Sequence, residues 1–365
     1  MIDKEIKLAF YVRASIILVG FIAFFYIMYI GQTILAPIVF SLIIAILLVP
    51  VVNFFVKLKI NRVIAIVITL ILTVLVIAAL GGFFCSQVNR FSASWPTFVD
   101  KFTLVLNQAI TNLSAYFDID PKNIHDWILK TKGELINTSS RAIGQTIVMF
   151  GSGIVILLLI PVYIFFILYY QHHLLEFIHK LFSEDNQLQV QKIVTQTKKL
   201  IQRYLVGLII EGVIIAILNS TALLLLGVQY AIVLGIIGAF LNVIPYIGGI
   251  VAVALPMMVV LATKSSAWYA LYVMIAHYVI QLFDNNYIVP YIVASKVKIN
   301  ALFSIIVILV GNSLWGIPGM FLSIPLLAIV KLICDNIPSL EPWGFLLGDN
   351  MKPLIKLKKL TKSTI

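Results

Sequence analysis

Long apolar stretches separated by short polar ones dominate this chain. Two of them carry no charged side chain over 32 residues each, at Ala231–Ala262 and Ile299–Val330. A helix rises about 1.5 Å per residue, so either stretch would reach roughly 48 Å as one straight helix. The hydrocarbon core of a bilayer is only about 30 Å thick. We therefore expect each stretch to be interrupted and folded back on itself.

Residues that break helices mark the centre of both stretches. Pro245 lacks a backbone donor, and Gly248 and Gly249 permit the positive φ angles that a reversal needs. Paired interrupted segments are typical of inverted repeats in transporters, which bind substrate at such breaks. The alternative is a structural break without a ligand. The candidate binding residues at the two tips are Asn242, Pro245, Tyr246, Gly248 and Gly249 in the first stretch and Asn312, Gly316, Pro318 and Gly319 in the second.

Shorter apolar runs predict six further segments that cross the membrane completely. They lie at 14–30, 34–56, 63–84, 147–170, 204–226 and 267–283, with the third ending near Gly81-Gly82. Together with the two interrupted stretches, which we interpret as re-entrant hairpins, these runs predict an all-α polytopic membrane protein.

The composition changes at about Cys85, where charged residues and prolines become frequent. Aromatic residues then recur at helical spacing from Phe91 to Phe102, and Asp120-Pro121 resembles a helix start. We interpret this region as a small helical insert outside the cytoplasm. The predicted organisation is a scaffold of three spans (1–85), the insert (86–146), a fourth span with a cytoplasmic amphipathic segment (147–203), a transport core (204–335) and a basic cytoplasmic tail (336–365).

Composition and charge narrow the class of protein. The chain is 61% hydrophobic and 11% charged, whereas soluble domains are about 25% charged. Its net charge of +11 comes from lysines and arginines in short flanks, which follows the positive-inside rule rather than indicating nucleic acid as a partner. The same rule places both termini in the cytoplasm. Lys296 and Lys298 are cytoplasmic if the stretches are hairpins and extracytoplasmic if both cross fully.

Few side chains inside the apolar segments could carry chemistry. Glu211 is the one acid well inside a predicted span, and such a carboxylate is costly unless paired, protonated or hydrated. It is a candidate for coupling to a proton or cation, or else a link between two helices. Asp284, with Asn285 and Asn286, either contacts substrate or ion or lies in a loop facing water. His277 fits a hydrogen-bonded packing residue better than a proton relay.

Other functions lack their sequence signals. We find no P-loop, HExxH or GxSxG pattern and no paired intramembrane aspartates, so neither ATP-driven transport nor an enzyme is predicted. Two distant cysteines and isolated histidines form no ligand set, so no metal or other cofactor is expected.

A series of glycines, prolines and amides in the second half carries a resemblance to a known family. The pattern comprises Leu226-Gly227, Gly235, Asn242-x-x-Pro245-Tyr246-Ile247-Gly248, Pro256, Asp284-Asn285-Asn286 with Pro290, Val310-Gly311, Trp315-Gly316-Ile317-Pro318-Gly319-Met320 and Pro325-Leu326. It resembles the AI-2E transporter family, also called the PerM-like or autoinducer-2 exporter family, and the hydropathy of nearly the whole chain agrees.

The resemblance implies a secondary transporter in the bacterial inner membrane, homo-oligomeric and related to elevator-type carriers. Its expected cargo is a small polar solute or signal similar to autoinducer-2, exported by a proton or cation gradient. Some members of the family look like Na⁺(Li⁺)/H⁺ antiporters, so that alternative stays open. A non-transporting membrane scaffold is the third alternative.

The hairpin topology is testable by cysteine labelling. In a variant without Cys85 and Cys334, Lys296→Cys should react with a membrane-impermeant maleimide only after the cells are permeabilised. Asp120→Cys in the predicted extracytoplasmic insert is the positive control and should react in intact cells. Labelling of Lys296→Cys from outside would contradict the hairpin model.

Overall fold

A computed structural model describes residues 9–117, 154–242, 247–264, 266–293 and 299–349. These residues form eleven α-helices and no β-strand. Four segments are long and apolar enough to cross a membrane, at Gln32–Lys57, Arg62–Gln108, Glu184–Leu225 and Ala301–Asn336, and shorter apolar helices accompany them. The all-α membrane class predicted from the sequence is therefore confirmed.

The helices follow one another with short connections. Their bounds are α1 Phe10–Ile30, α2 Gln32–Lys57, α3 Arg62–Phe117, α4 Ile154–Tyr169, α5 Gln171–Lys180, α6 Gln187–Leu225, α7 Ala231–Asn242, α8 Ile247–Thr263, α9 Trp268–Phe283, α10 Ala301–Asn336 and α11 Glu341–Leu347. A π-helical segment, Asp284–Val293, continues α9, and 3₁₀ turns occupy Glu184–Asn186 and Pro338–Leu340. The chain divides into two compact units, residues 1–177 with 201–295 and residues 178–200 with 296–365.

Two predicted helix boundaries are absent. The third span was expected to end near Gly81-Gly82, but α3 continues to Phe117, because glycine within a helix costs only about 1 kcal/mol relative to alanine. Likewise α6 runs unbroken from Gln187 to Leu225 where a surface helix and a separate span were expected. The insert beyond residue 117, including Asp120-Pro121, lies outside the described residues.

In the first unit, one apolar cluster joins α2, α3 and α4. Val49 and Val52 of α2 pack with Ile66 of α3 and with Ile164 and Leu168 of α4. Polar contacts hold the ends of this group, because the Arg62 guanidinium donates to the Leu168 carbonyl at 3.1 Å. The Gln202 amide of α6 donates to the Ile46 carbonyl at 2.7 Å, so α6 lies against α2.

A second cluster joins the far part of α3 to α7 and α8. Phe91, Trp95 and Phe98 of α3 pack with Leu234 of α7 and Val259 of α8. The hydroxyls of Ser94 and Tyr230 lie 2.9 Å apart, at the turn that precedes α7. The long α3 therefore contributes to both apolar clusters of the unit.

The first uncharged stretch consists of two antiparallel helices. Helices α7 and α8 have 12 and 17 residues, roughly 18 and 25 Å, so each is shorter than a bilayer core. A Cβ added at Gly238 would lie 3.6 Å from Cβ of Ala252. Farther from the break, Leu234 packs in one cluster with Val259. Contacts that move away from the break on both sides define a helical hairpin.

The second uncharged stretch folds back within α10. Its helical assignment continues through a kink at Gly316, where φ is 64° and ψ is −144°. The Ser323 hydroxyl donates to the Val307 carbonyl at 2.9 Å, although residues 16 apart in a straight helix are roughly 24 Å apart. A Cβ added at Gly319 would collide with the carbonyl of Gly311. The chain therefore reverses at Gly316, and glycines let the two limbs touch.

Amides connect the remaining helices of the second unit. The Asn336 amide at the end of α10 donates to Gln196 Oε1 of α6 at 3.2 Å, and its carbonyl accepts from Gln189. Backbone bonding between Ile299 and Gly348 ties the start of the second stretch to the segment after α11. This unit is thus closed by polar contacts at the ends of its helices.

The glycine contact in α10 can be tested by substitution. Gly319→Ala should lower the unfolding temperature of the detergent-solubilised protein, since overpacking against backbone costs about 1–3 kcal/mol. Gly81→Ala is the matched control, because nothing lies within 4 Å of a Cβ built there. An equal effect of both substitutions would contradict the fold-back at Gly316.

Candidate functional site

One side-chain amide connects three helical elements at the end of α7. Asn242, the last residue of α7, donates from Nδ2 to Asp284 Oδ2 at 2.9 Å and to Glu211 Oε1 at 3.4 Å. Its Oδ1 accepts from Gln281 Nε2 at 3.4 Å. We call these four residues the carboxylate–amide cluster. It joins α6, α7 and the junction of α9 with the π-helix.

The cluster is buried and carries excess negative charge. Asp284 is only 1% exposed, and its Oδ1 has no hydrogen-bond partner among the described residues. No lysine or arginine in the described parts of the chain forms an ion pair with Glu211 or Asp284. Buried carboxylates are costly unless they are paired or neutralised. The site therefore favours a positive partner, either a proton or a cation.

The helix termini reinforce this preference. Helix α7 ends at Asn242, so its partly negative C-terminal end lies at the cluster. In broken-helix transporters such C-terminal ends coordinate the coupling cation. Within the described residues no three His, Cys, Asp or Glu side chains converge as metal ligands. The group that could hold a cation is thus one of two carboxylates and two amides.

Local sequence explains how the cluster is brought together. A Cβ at Gly235 would collide with Ser220, so glycine lets α7 approach α6 closely and places Asn242 beside Glu211. Pro290 cannot donate to the carbonyl four residues earlier, and the helix around it has the wider π geometry from Asp284 to Val293. Such π segments are frequent at functional sites.

Three of the predicted site residues meet, and others do not. Glu211, Asn242 and Asp284 lie in one cluster. The expectation that Asp284 lies in a water-facing loop is wrong, because it is buried in a helical segment. Asn285 and Asn286 are exposed, and Asn286 Nδ2 donates to the Leu282 carbonyl at 2.7 Å instead.

The remaining predicted residues lie apart from the cluster's hydrogen bonds. Gly248 and Gly249 are in the first turn of α8, while Pro245 and Tyr246 fall outside the described residues. In the second unit Asn312 and Pro318 are exposed, Gly319 is buried against Gly311, and Gly316 forms the kink. Sequence reasoning missed Gln281. Its signal was an amide in an apolar helix, three residues before Asp284.

Fold and site together define a class. Apolar helices of membrane-crossing length, a helix broken inside an uncharged stretch and a buried acidic cluster at that break are the features of a membrane transport protein. Residues 16–339 match the sequence profile described as AI-2E family transporter. The chain belongs to this family, which comprises transporters and not enzymes.

Individual relatives agree at low identity. YrrI of Bacillus subtilis is 27% identical over 130 residues, covering 36% of each chain. A Borreliella burgdorferi protein named for an expected role in transport is 23% identical over 325 residues, 87% of this chain and 86% of its own. The AI-2 transport protein TqsA of Escherichia coli is 22% identical over 328 residues, 87% of this chain and 90% of its own. The match to YrrI thus spans about a third of that protein, and the other two span most of theirs.

The bridging amide should contribute to stability. Asn242→Ala removes the donor shared by Glu211 and Asp284, and leaving buried acceptors unpaired costs about 1–3 kcal/mol. We expect a lower unfolding temperature in detergent. Asn312→Ala, at an exposed position of the second unit, is the matched control and should change little. Equal unfolding temperatures for wild type and Asn242→Ala would contradict the bridging role.

Proposed function

We propose that this protein is a secondary transporter of the bacterial inner membrane that moves a small polar solute using a proton or monovalent-cation gradient. The observation that carries the proposal is the shared amide of Asn242 between Glu211 and the buried Asp284. Two buried acids with no basic partner in the described chain suit reversible binding of a positive ion. Reversible binding of an ion is what coupling to a gradient requires.

Loading and unloading would change the helices that the cluster joins. An occupied site neutralises the carboxylates and lets α6, α7 and α9 stay together. An empty site leaves like charges close to one another, on the scale of about 4–6 Å at which such charges disfavour each other's ionisation. The ion therefore biases the position of α7, which is one limb of the first hairpin, and ion binding is coupled to movement.

The two folded-back stretches would be the moving parts. Antiparallel α7 and α8, and the reversal at Gly316 in α10, support re-entrant hairpins within an inverted repeat beside six full spans. We propose that both tips, including Pro245, Tyr246, Asn312 and Pro318, contact the solute. The movement would be elevator-like, against a scaffold of the first three helices within a homo-oligomer. Both termini would be cytoplasmic.

The proposed solute is a signal molecule similar to autoinducer-2, moved outward. This rests on family membership and on similarity to TqsA, which is named as an AI-2 transport protein. A Na⁺(Li⁺)/H⁺ antiporter is the second candidate. The acidic character of the cluster favours it, because two carboxylates could bind a cation and protons in alternation without any organic solute. A non-transporting scaffold is the third candidate.

Flux measurements on purified protein in proteoliposomes distinguish these functions. We would impose proton and sodium gradients separately and follow labelled autoinducer-2, radioactive sodium and internal pH. Coupling energies of about 1–3 kcal/mol correspond to roughly 5–150-fold changes, so Glu211→Gln and Asp284→Asn should reduce gradient-driven flux by a factor in this range. Glu184→Gln, at an exposed acid, is the matched control and should behave as wild type.

Each outcome selects one candidate. Autoinducer-2 flux that depends on either gradient, and loses that dependence in Glu211→Gln, supports the coupled exporter. Sodium–proton exchange without solute flux supports the antiporter. No flux of any tested solute under any gradient would leave the scaffold. Wild-type coupling in both cluster variants would overturn the assigned role of the carboxylates.

A further inference from the structure

A small cavity lies among α6, α7, α8 and α9, apart from the carboxylate–amide cluster. Most of its lining is apolar, but Asn219 of α6 and His277 of α9 also face it, together with Ala252 and Pro256 of α8. Its volume of about 10 Å³ is close to the ~10–15 Å³ that a single water molecule needs. The cavity is therefore of a size for one water rather than for a transported solute.

Three polar groups converge on this cavity. The Nε2 atom of His277 is buried and has no hydrogen-bond partner among the described residues. Asn219 is buried, at 7% exposure. Pro256 has no N–H to donate to the carbonyl of Ala252, four residues earlier in α8, so that carbonyl lacks its helical partner. Buried waters typically make about three hydrogen bonds, which is the number of groups available here.

The cavity lies on the same helix pair as the carboxylate–amide cluster. Glu211 and Asn219 are eight residues apart on α6, about 12 Å. Asp284 and His277 are seven residues apart at α9 and its continuation, about 10 Å. Since Glu211 is near Asp284 and Asn219 is near His277, these two helices run antiparallel and carry two polar levels.

An apolar layer separates the two levels. Ile215 of α6, Ala239 of α7 and Ile280 of α9 lie between them in sequence on their helices and pack in one cluster. Water therefore has no polar path from the cavity to the carboxylates within this layer. The upper and lower polar groups are two separate sites along one contact between helices.

We propose that His277, Asn219 and the Ala252 carbonyl bind one water molecule, and that His277 exchanges a proton with it. In the exchange Nε2 accepts a proton from the hydrated proton in the cavity and later returns it to water, so the imidazole is unchanged after a cycle. His277 is the one titratable side chain that lines the cavity. The next titratable groups on the packed helices are Glu211 and Asp284, beyond the apolar layer. The contribution of this site to proton coupling rests on the proposed function.

Histidine-selective ¹⁵N NMR tests the water site without measuring transport. The chain has five histidines, and the His277 signal is the one lost in His277→Gln. Ala276→Val would fill the cavity that Ala276 lines, so exchange of the His277 ring proton with deuterated water should slow by at least about tenfold when the water is excluded. Ile275→Val, at the exposed neighbouring position, is the matched control.

Two further variants address the proposed partners. Asn219→Leu keeps the approximate side-chain volume without the amide, and Pro256→Ala restores an N–H that pairs the Ala252 carbonyl. Each should shift the ¹⁵N resonance of His277, and Asn219→Leu provides the same reading if Ala276→Val fails to fold. An unchanged His277 signal in Asn219→Leu and Pro256→Ala would overturn the water site.

The proton role is tested by the pH profile of gradient-driven flux in proteoliposomes. His277→Gln keeps a hydrogen-bonding side chain but cannot titrate, so the profile should lose one titration step while flux at its optimum persists. An unchanged profile in His277→Gln overturns the proton role. If Glu211→Gln also leaves coupling intact, the proposed function fails as well. Loss of coupling in Glu211→Gln alone leaves that function standing, so the two failures are distinguishable.

Discussion

The interaction on which the core of this protein depends is the hydrogen bonding of one amide to two carboxylates. Asn242 supplies a donor to Glu211 and to Asp284, and Asp284 is almost completely buried. In a medium of low dielectric constant, an unpaired carboxylate costs far more than in water. The amide reduces this cost without removing the negative charge. The cluster is therefore held together while still requiring a proton or a cation, and this combination links its occupancy to the position of α7.

Close approach of helices makes that arrangement feasible, and the same device recurs in both uncharged stretches. Gly235 of α7 lies directly against Ser220 of α6, and in α10 Gly311 lies against Ser323. In each case the serine hydroxyl also bonds a carbonyl of the opposing segment, that of Ile232 at 3.5 Å or of Val307 at 2.9 Å. With no hydrophobic driving force between helices in lipid, small residues and hydroxyls supply the contact. Side chains larger than glycine at these positions would separate the helices.

The first uncharged stretch thus combines two properties that transport needs. Its limbs, α7 and α8, are packed firmly enough to move as one piece, with Leu234 and Val259 in a shared core. Its break places a helix C-terminus and an amide beside buried acids. A ligand shifts an equilibrium only through a difference in affinity between two states. Here that difference would come from the charge of Glu211 and Asp284, because an ion changes the electrostatic cost of keeping them close.

The sequence by itself determined the membrane class, the interruption of both uncharged stretches and the candidacy of Glu211, Asn242 and Asp284. Length, absence of charge and the positions of proline and glycine are local properties, and the bilayer turns them directly into structure. Tertiary structure alone decided that these three residues meet while Asn285 and Asn286 face outward, since the pairing depends on how α6, α7 and α9 pack. It also added Gln281 and joined predicted segments into the continuous helices α3 and α6. The physical reason is that hydrogen bonds between residues 31 and 42 positions apart follow from helix contacts that hydropathy and spacing do not encode.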